Sequence, residues 1–167
     1  MKKFLITVML ILATVIGGNV LMSTDLTAQA QAGAAKVTKL KTTPKKIRGT
    51  WYHYDKKYGM NKVVITKYKV SFRTFNGKKY THKMTTFPNQ IIYKYTHKHQ
   101  RTIYAFNSKT ELGDAAGYYM YTMKIKGKKR HVLVDPSQST DHKPSVYTHF
   151  QTKHAYFAPK NTQPGVG

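Results

Sequence analysis

The sequence predicts an all-β fold, an antiparallel meander of eight or nine short strands closed into a small barrel, with a two-sheet β-sandwich as the alternative. Three observations carry this reading. From Arg48 onward the composition shifts to Tyr, Thr, Val, Ile and Phe, the residues that suit a pleated, half-buried surface. Apolar and basic residues then alternate with period two. Turn signals interrupt the alternation at short intervals.

In chain order, Met1-Lys2-Lys3 and the apolar run from Phe4 to Ile16 form the charged and apolar regions of a signal peptide. The pair Gly17-Gly18 breaks the run, and Ala28-Gln29-Ala30 and Ala30-Gln31-Ala32 both fit a cleavage site. Residues 1–32 are thus expected to be removed after Ala30 or Ala32, leaving a secreted protein. An uncleaved anchor is the competing reading, because the apolar stretch approaches the roughly 20 residues of a spanning helix. The chain has no cysteine, so neither a lipidated cysteine nor a disulfide is available. It also lacks an LPxTG-like wall-sorting motif.

Residues 33–46 are basic and without sustained periodicity, and read as an extended lead-in. The β domain spans 47–153, and 154–167, with Pro159 and Pro164, reads as a flexible tail. The expected strands are 49–55, 61–67, 69–75, 79–86, 90–97, 101–107, 117–126, 130–135 and 146–152. Val64, Thr66, Tyr68, Val70 and Phe72 oppose Lys67, Lys69, Ser71 and Arg73. Ile91, Tyr93 and Tyr95 oppose Lys94, Thr96 and Lys98, and Tyr119, Tyr121, Met123 and Ile125 oppose Thr122, Lys124 and Lys126. Each strand thus has an apolar and a basic face. Asn76-Gly77 is the strongest hairpin signal, expected as the two central residues of a type I′ turn. The tripeptide Tyr-Thr-His recurs at 80, 95 and 147, without the accompanying period of a repeat protein.

Arg48-Gly49-Thr50-Trp51-Tyr52 opens the first expected strand of the meander and contains the sole tryptophan. A Gly-x-Trp on the first strand of an eight-stranded meander resembles the lipocalin, or calycin, superfamily, and in particular the small secreted lipocalin-like proteins of Gram-positive bacteria. The resemblance implies that Trp51 closes one end of a barrel and that a basic residue packs across it, with Arg130 or Lys153 in place to do so. It also implies an interior able to hold a small hydrophobic ligand. Tyr68, Tyr93, Tyr95, Tyr119 and Tyr121 are the candidate interior contacts.

Catalysis finds little footing in the side chains. Beyond the leader the carboxylates are Asp55, Glu111, Asp114, Asp135 and Asp141. Glu111 and Asp114 share a loop, whereas a glycosidase pair must flank a cleft. No serine sits in a Gly-x-Ser-x-Gly elbow. His97 and His99 have a spacing that metal sites use, but the sequence supplies no third ligand, and Lys94, Lys98 and Arg101 would repel a cation. The expectation is a protein without enzymatic activity, cofactor or metal.

Charge is the strongest functional signal. Without the leader, 27 basic residues face five acidic ones, a net +22, well beyond the magnitude of roughly 2 to 8 that solubility alone asks of a small domain. Such a field attracts polyanions. The expected function is a secreted cationic binding protein, held at the cell surface by anionic wall polymers or sulfated glycans. Lys67, Lys69, Lys94, Lys98, Lys124 and Lys126 are the expected contacts. A carrier of a small hydrophobic ligand is the alternative, and a secreted hydrolase or nuclease the second. Basic and aromatic residues interleave at 52–58 and 92–101, so nucleic acid is a further possible partner.

Overall fold

Ten strands pair into two antiparallel sheets, of six and of four strands. The computed structural model describes residues 36–98, 100–109, 115–136 and 142–162, all within one compact unit. The expected signal peptide, His99, the Glu111 and Asp114 pair and Asp141 lie outside the described residues.

The smaller sheet is a plain meander of β2 (Gly49–Asp55), β3 (Gly59–Ile65), β4 (Val70–Phe75) and β5 (Tyr80–Thr86). The larger one continues through β6 (Ile91–Thr96), β7 (Ile103–Asn107), β8 (Ala115–Ile125), β9 (Lys128–Asp135) and β10 (Ser145–Tyr147). Its outer edge is covered by β1 (Lys36–Leu40), which pairs antiparallel with β6 from Lys36 opposite Thr96 to Leu40 opposite Ile92. The lead-in therefore protects a sheet edge. One turn of 3₁₀ helix, Lys45–Ile47, then carries the chain into β2. The Arg48 guanidinium secures this crossing by donating from Nε to the Thr43 carbonyl at 2.8 Å.

The expected closed barrel is not formed. Among the described residues one backbone bridge joins the sheets, Tyr52 with Thr148, each N–H donating to the other's carbonyl at 2.7 and 2.9 Å. On the other side β5 and β6 follow one another but belong to different sheets. The corner between them explains why. Pro88 has no N–H to donate, and Asn89 turns the chain with a φ of +44°. The Gln90 side chain then takes the place of a strand partner. Its Oε1 accepts from the Val70 N–H at 2.7 Å and its Nε2 donates to the Val70 carbonyl at 2.8 Å. With Val70 satisfied in this way, the sheet ends and the sandwich alternative describes the architecture.

Between the sheets lies a core of Trp51, Val63, Ile65 and Val70 from one side and Ile92, Phe106, Tyr118, Leu133 and Tyr147 from the other. A second core lies on the opposite face of β8, β9 and β10. It is built on Tyr119, Ile125, Val132, Val134 and Val146, and Ala158 closes it. The segment expected as a flexible tail supplies that cover. Val146 N–H donates to the Tyr156 carbonyl, Ala158 N–H to that of Pro144, and the Tyr119 and Thr162 hydroxyls lie 3.1 Å apart.

Two turns differ from expectation. Phe75 pairs with Tyr80 and Asn76 N–H donates to the Lys79 carbonyl, so the central residues are Gly77-Lys78 rather than Asn76-Gly77. Asn76 instead caps the turn, its Oδ1 accepting from the N–H groups of Lys78 and Lys79. Positive φ at both central positions occurs at Lys126-Gly127, 50° and 74°, between paired Ile125 and Lys128. That is where the type I′ hairpin sits.

Candidate functional site

The structure places none of the five expected interior tyrosines between the sheets. Tyr68 lies in the turn between β3 and β4 and is 59% exposed, because Thr66 to Lys69 reverse the chain and end the alternation read through them. Ile65 and Val70 pair across that reversal, so the buried set changes from odd to even numbers. On β6 it is Ile92 that enters the core, so Tyr93 and Tyr95 point to the opposite face. Tyr119 and Tyr121 belong to the second core. The rings that do stand between the sheets are Tyr104, Tyr118 and Tyr147.

The six expected lysines are not gathered in one place. Lys67 and Lys69 flank Tyr68 in its exposed turn, with the Lys67 ammonium 4.9 Å from the Tyr68 ring centre. Lys94 pairs with Tyr104 across β6 and β7 and shares its face, half-buried rather than directed outward. Lys98 follows β6. Lys124 and Lys126 mark the end of the hairpin formed by β8 and β9. The antiparallel register puts these last three at one end of the larger sheet, where Arg101 stacks over the Tyr121 ring at 4.7 Å.

Beside that end runs an open groove of about 790 Å³ between β8 and the covering C-terminal segment. Tyr121, Met123 and Tyr156 contribute apolar surface. Lys124, Lys143 and Lys160 add positive charge around it, and the ring of His154, which also lines it, meets Tyr156 edge-on at 4.7 Å. Lys124 and Tyr121, expected in separate roles, thus line one site. His154 and Lys160 escaped the sequence reading because they belong to the segment read as a tail, and Lys143 because it lies between the last two expected strands.

A second cavity, of about 420 Å³, opens between the sheets. Aromatic walls come from Phe72, Phe75, Phe87, Tyr80, Tyr118 and Tyr147, and polar groups from Asn61, Arg73 and Asp135. Desolvation pushes the Asp135 carboxyl up to about 7. Burial likewise raises Tyr118 and Tyr147 well above the ordinary phenol value, with the Asp135 charge adding to the effect. Asn61 is oriented by its Nδ2, which donates to the Tyr147 hydroxyl at 2.9 Å, while its buried Oδ1 has no partner. Arg73 donates to the Met60 carbonyl at 2.9 Å. No known protein family, curated protein or solved structure matches the chain.

Trp51 is buried, and its indole Nε1 donates to the Ile47 carbonyl at 2.9 Å. Neither Arg130 nor Lys153 covers it. Arg130 stacks on Phe150 at 5.3 Å, and the ring across Trp51 is that of His149, whose Nδ1 lies 2.9 Å from the Thr50 carbonyl. Among the described residues no group of three metal-ligating side chains gathers.

Proposed function

We propose that the protein is a secreted cationic binding protein, retained at the cell surface by anionic wall polymers or sulfated glycans. The groove beside β8 carries this reading, because it joins apolar ring surface from Tyr121 and Tyr156 to Lys124, Lys143, Lys160 and His154. Sugar rings pack against aromatic faces while ammonium groups meet phosphate or sulfate. The placement of the acids supports it further. Asp55 is engaged in the turn after β2, its Oδ1 accepting from the N–H groups of Lys57 and Tyr58, and Asp135 faces the inter-sheet cavity.

Fractionation of producing cells tests the proposal. Raising salt from about 0.1 to 1 M shortens the Debye length from about 10 to about 3 Å, so salt should strip the protein from the cells. Acidification from about pH 7 to pH 5, the range in which histidine as a residue type gains charge, should tighten retention. A K124Q/K143Q/K160Q variant should wash off at lower salt than a K56Q/K57Q/K83Q control of equal net charge. Protein left on cells in 1 M salt, or free in the medium at low salt and pH 5, overturns retention. Equal behaviour of the two variants removes the groove from it.

We also infer a lipocalin-like relationship. In its favour are the sequential order of β2 to β5 and of β6 to β10, the bridge from Tyr52 back to Thr148, and the buried Trp51 on the first strand of the meander. Against closure stands the missing pairing of β5 with β6.

A further inference from the structure

We propose that the cavity between the sheets is a binding site for a small organic ammonium ion, held by the Asp135 carboxylate and the Asn61 carbonyl within an aromatic enclosure. About 420 Å³ suits a small molecule and is too little for a polymer chain. The site is thus separate from the groove beside β8, and the inference does not rest on surface retention.

Its polar groups define the ligand. Asp135 stands in the wall without a hydrogen bond to any described residue, in contrast to Asp55, which caps a turn. Asn61 is buried, its Nδ2 is committed to Tyr147, and its Oδ1 has no partner at hydrogen-bond distance, although its side chain also acts on the Tyr80 hydroxyl in the same wall. The cavity therefore offers two unmet acceptors. An apolar ligand would leave both unpaired in a desolvated site, which is costly. An ammonium group brings positive charge and several N–H donors, enough for both acceptors. The rings of Tyr80, Tyr118, Tyr147, Phe72 and Phe87 line the cavity, and aromatic surface of this kind favours an organic cation. A metal ion would need more ligands than this one carboxylate and one amide provide.

Charged and titratable groups from every wall face this position. Tyr80 comes from β5, Tyr118 from β8, Tyr147 from β10 and Arg73 from β4. Burial keeps the three phenols neutral across the working range, and Arg73 is engaged by the Met60 carbonyl. Asp135 alone changes charge near neutrality. Ammonium binding should accordingly strengthen as pH rises through about 7 and release a proton below it.

Calorimetry with the secreted protein provides the test, using phenethylamine as the probe, 2-phenylethanol as its neutral counterpart and phenylacetate as the anion. The amine should bind, and the alcohol and the acid should bind about tenfold more weakly or not at all. D135N, which keeps the side-chain shape, should lower amine affinity about tenfold or more and abolish its pH dependence, while D55N leaves both intact. Circular dichroism on the same samples verifies that each variant is folded. Equal affinity for amine and alcohol, unchanged binding by folded D135N, or no binding of the amine up to about 10 mM overturns the proposal.

Discussion

The imidazole of His149 lies on the indole of Trp51, ring centres 3.6 Å apart and planes inclined by 28°. This stack joins the second residue after β10 to the first strand of the smaller sheet and covers an indole that is otherwise enclosed by the core. H149A should destabilise the protein by about 1 kcal/mol, the size of an aromatic pair, and shift the emission of the sole tryptophan. Gly49 packs against the same ring. A Cβ there would meet His149 Cε1 at 3.0 Å, at a φ of +129°, so G49A should cost more than H149A. Urea titrations followed by Trp51 fluorescence measure both, and unchanged midpoints would refute the role of the stack.

Asp135 makes stability depend on pH in a direction unusual for a carboxylate. Its folded-state value, about 7 against an ordinary 3.8, means that the folded protein holds a proton the unfolded chain has released. Stability from this group is complete below about pH 4 and lost as pH rises through about 7. The span corresponds to something on the order of 4 kcal/mol. D135N should remove that slope and be the more stable protein at pH 8. His53 has the opposite sign. Burial lowers its value below 6.5, so its contribution is present above that pH and lost on acidification. Subtracting the D135N profile from that of the wild type cancels His53 and isolates Asp135; a flat difference contradicts the assignment.

Gln90 should matter more than an ordinary surface glutamine. It satisfies both backbone groups of buried Val70, and Q90A leaves them without partners. The expected loss is about 2 to 3 kcal/mol, and Q90E, which keeps the acceptor but loses the donor, should fall between. Chemical denaturation of the three proteins ranks them, and a Q90A midpoint equal to wild type would refute the clamp.

Truncation after Thr152 distinguishes a docked C-terminal segment from a flexible tail. Without residues 153–162 the buried faces of Tyr119, Val132, Val134 and Val146 lose their cover. A loss of about 3 kcal/mol or more is expected from the apolar area uncovered, together with new binding of a hydrophobic dye. A flexible tail would leave both readings unchanged.

Most of the strand pattern was legible because period-two alternation and turn residues are local signals. Eight of the nine expected strands recur with ends shifted by at most two residues, and only the ninth shrinks markedly, to Ser145–Tyr147. Alternation says which residues share a face, but not what covers that face. Tyr119, Tyr121, Met123 and Ile125 do form one apolar row, yet it packs under residues distant in sequence and turned away from the other sheet. The same ambiguity put Tyr93 and Tyr95 in the interior in place of Ile92. Asp135 was unremarkable as a letter beside Pro136; only burial gives it a distinct chemistry. His149 over Trp51 and Gln90 on Val70 are long-range or side-chain-to-backbone contacts that no periodicity encodes.

The position of the covering segment has a consequence for the order of assembly. A chain delivered amino end first can pair β1 through β10 before Tyr156 to Thr162 are available, so an apolar face of the larger sheet stays uncovered until the final residues arrive. Unfinished molecules with that face exposed would associate. Mutual repulsion between chains of net +23 opposes such encounters, and the surplus of lysine then serves the newborn protein before it meets any partner. Refolding in about 1 M salt, where this repulsion is screened, should scatter more light than refolding in dilute buffer, and equal scattering would show that charge plays no such part.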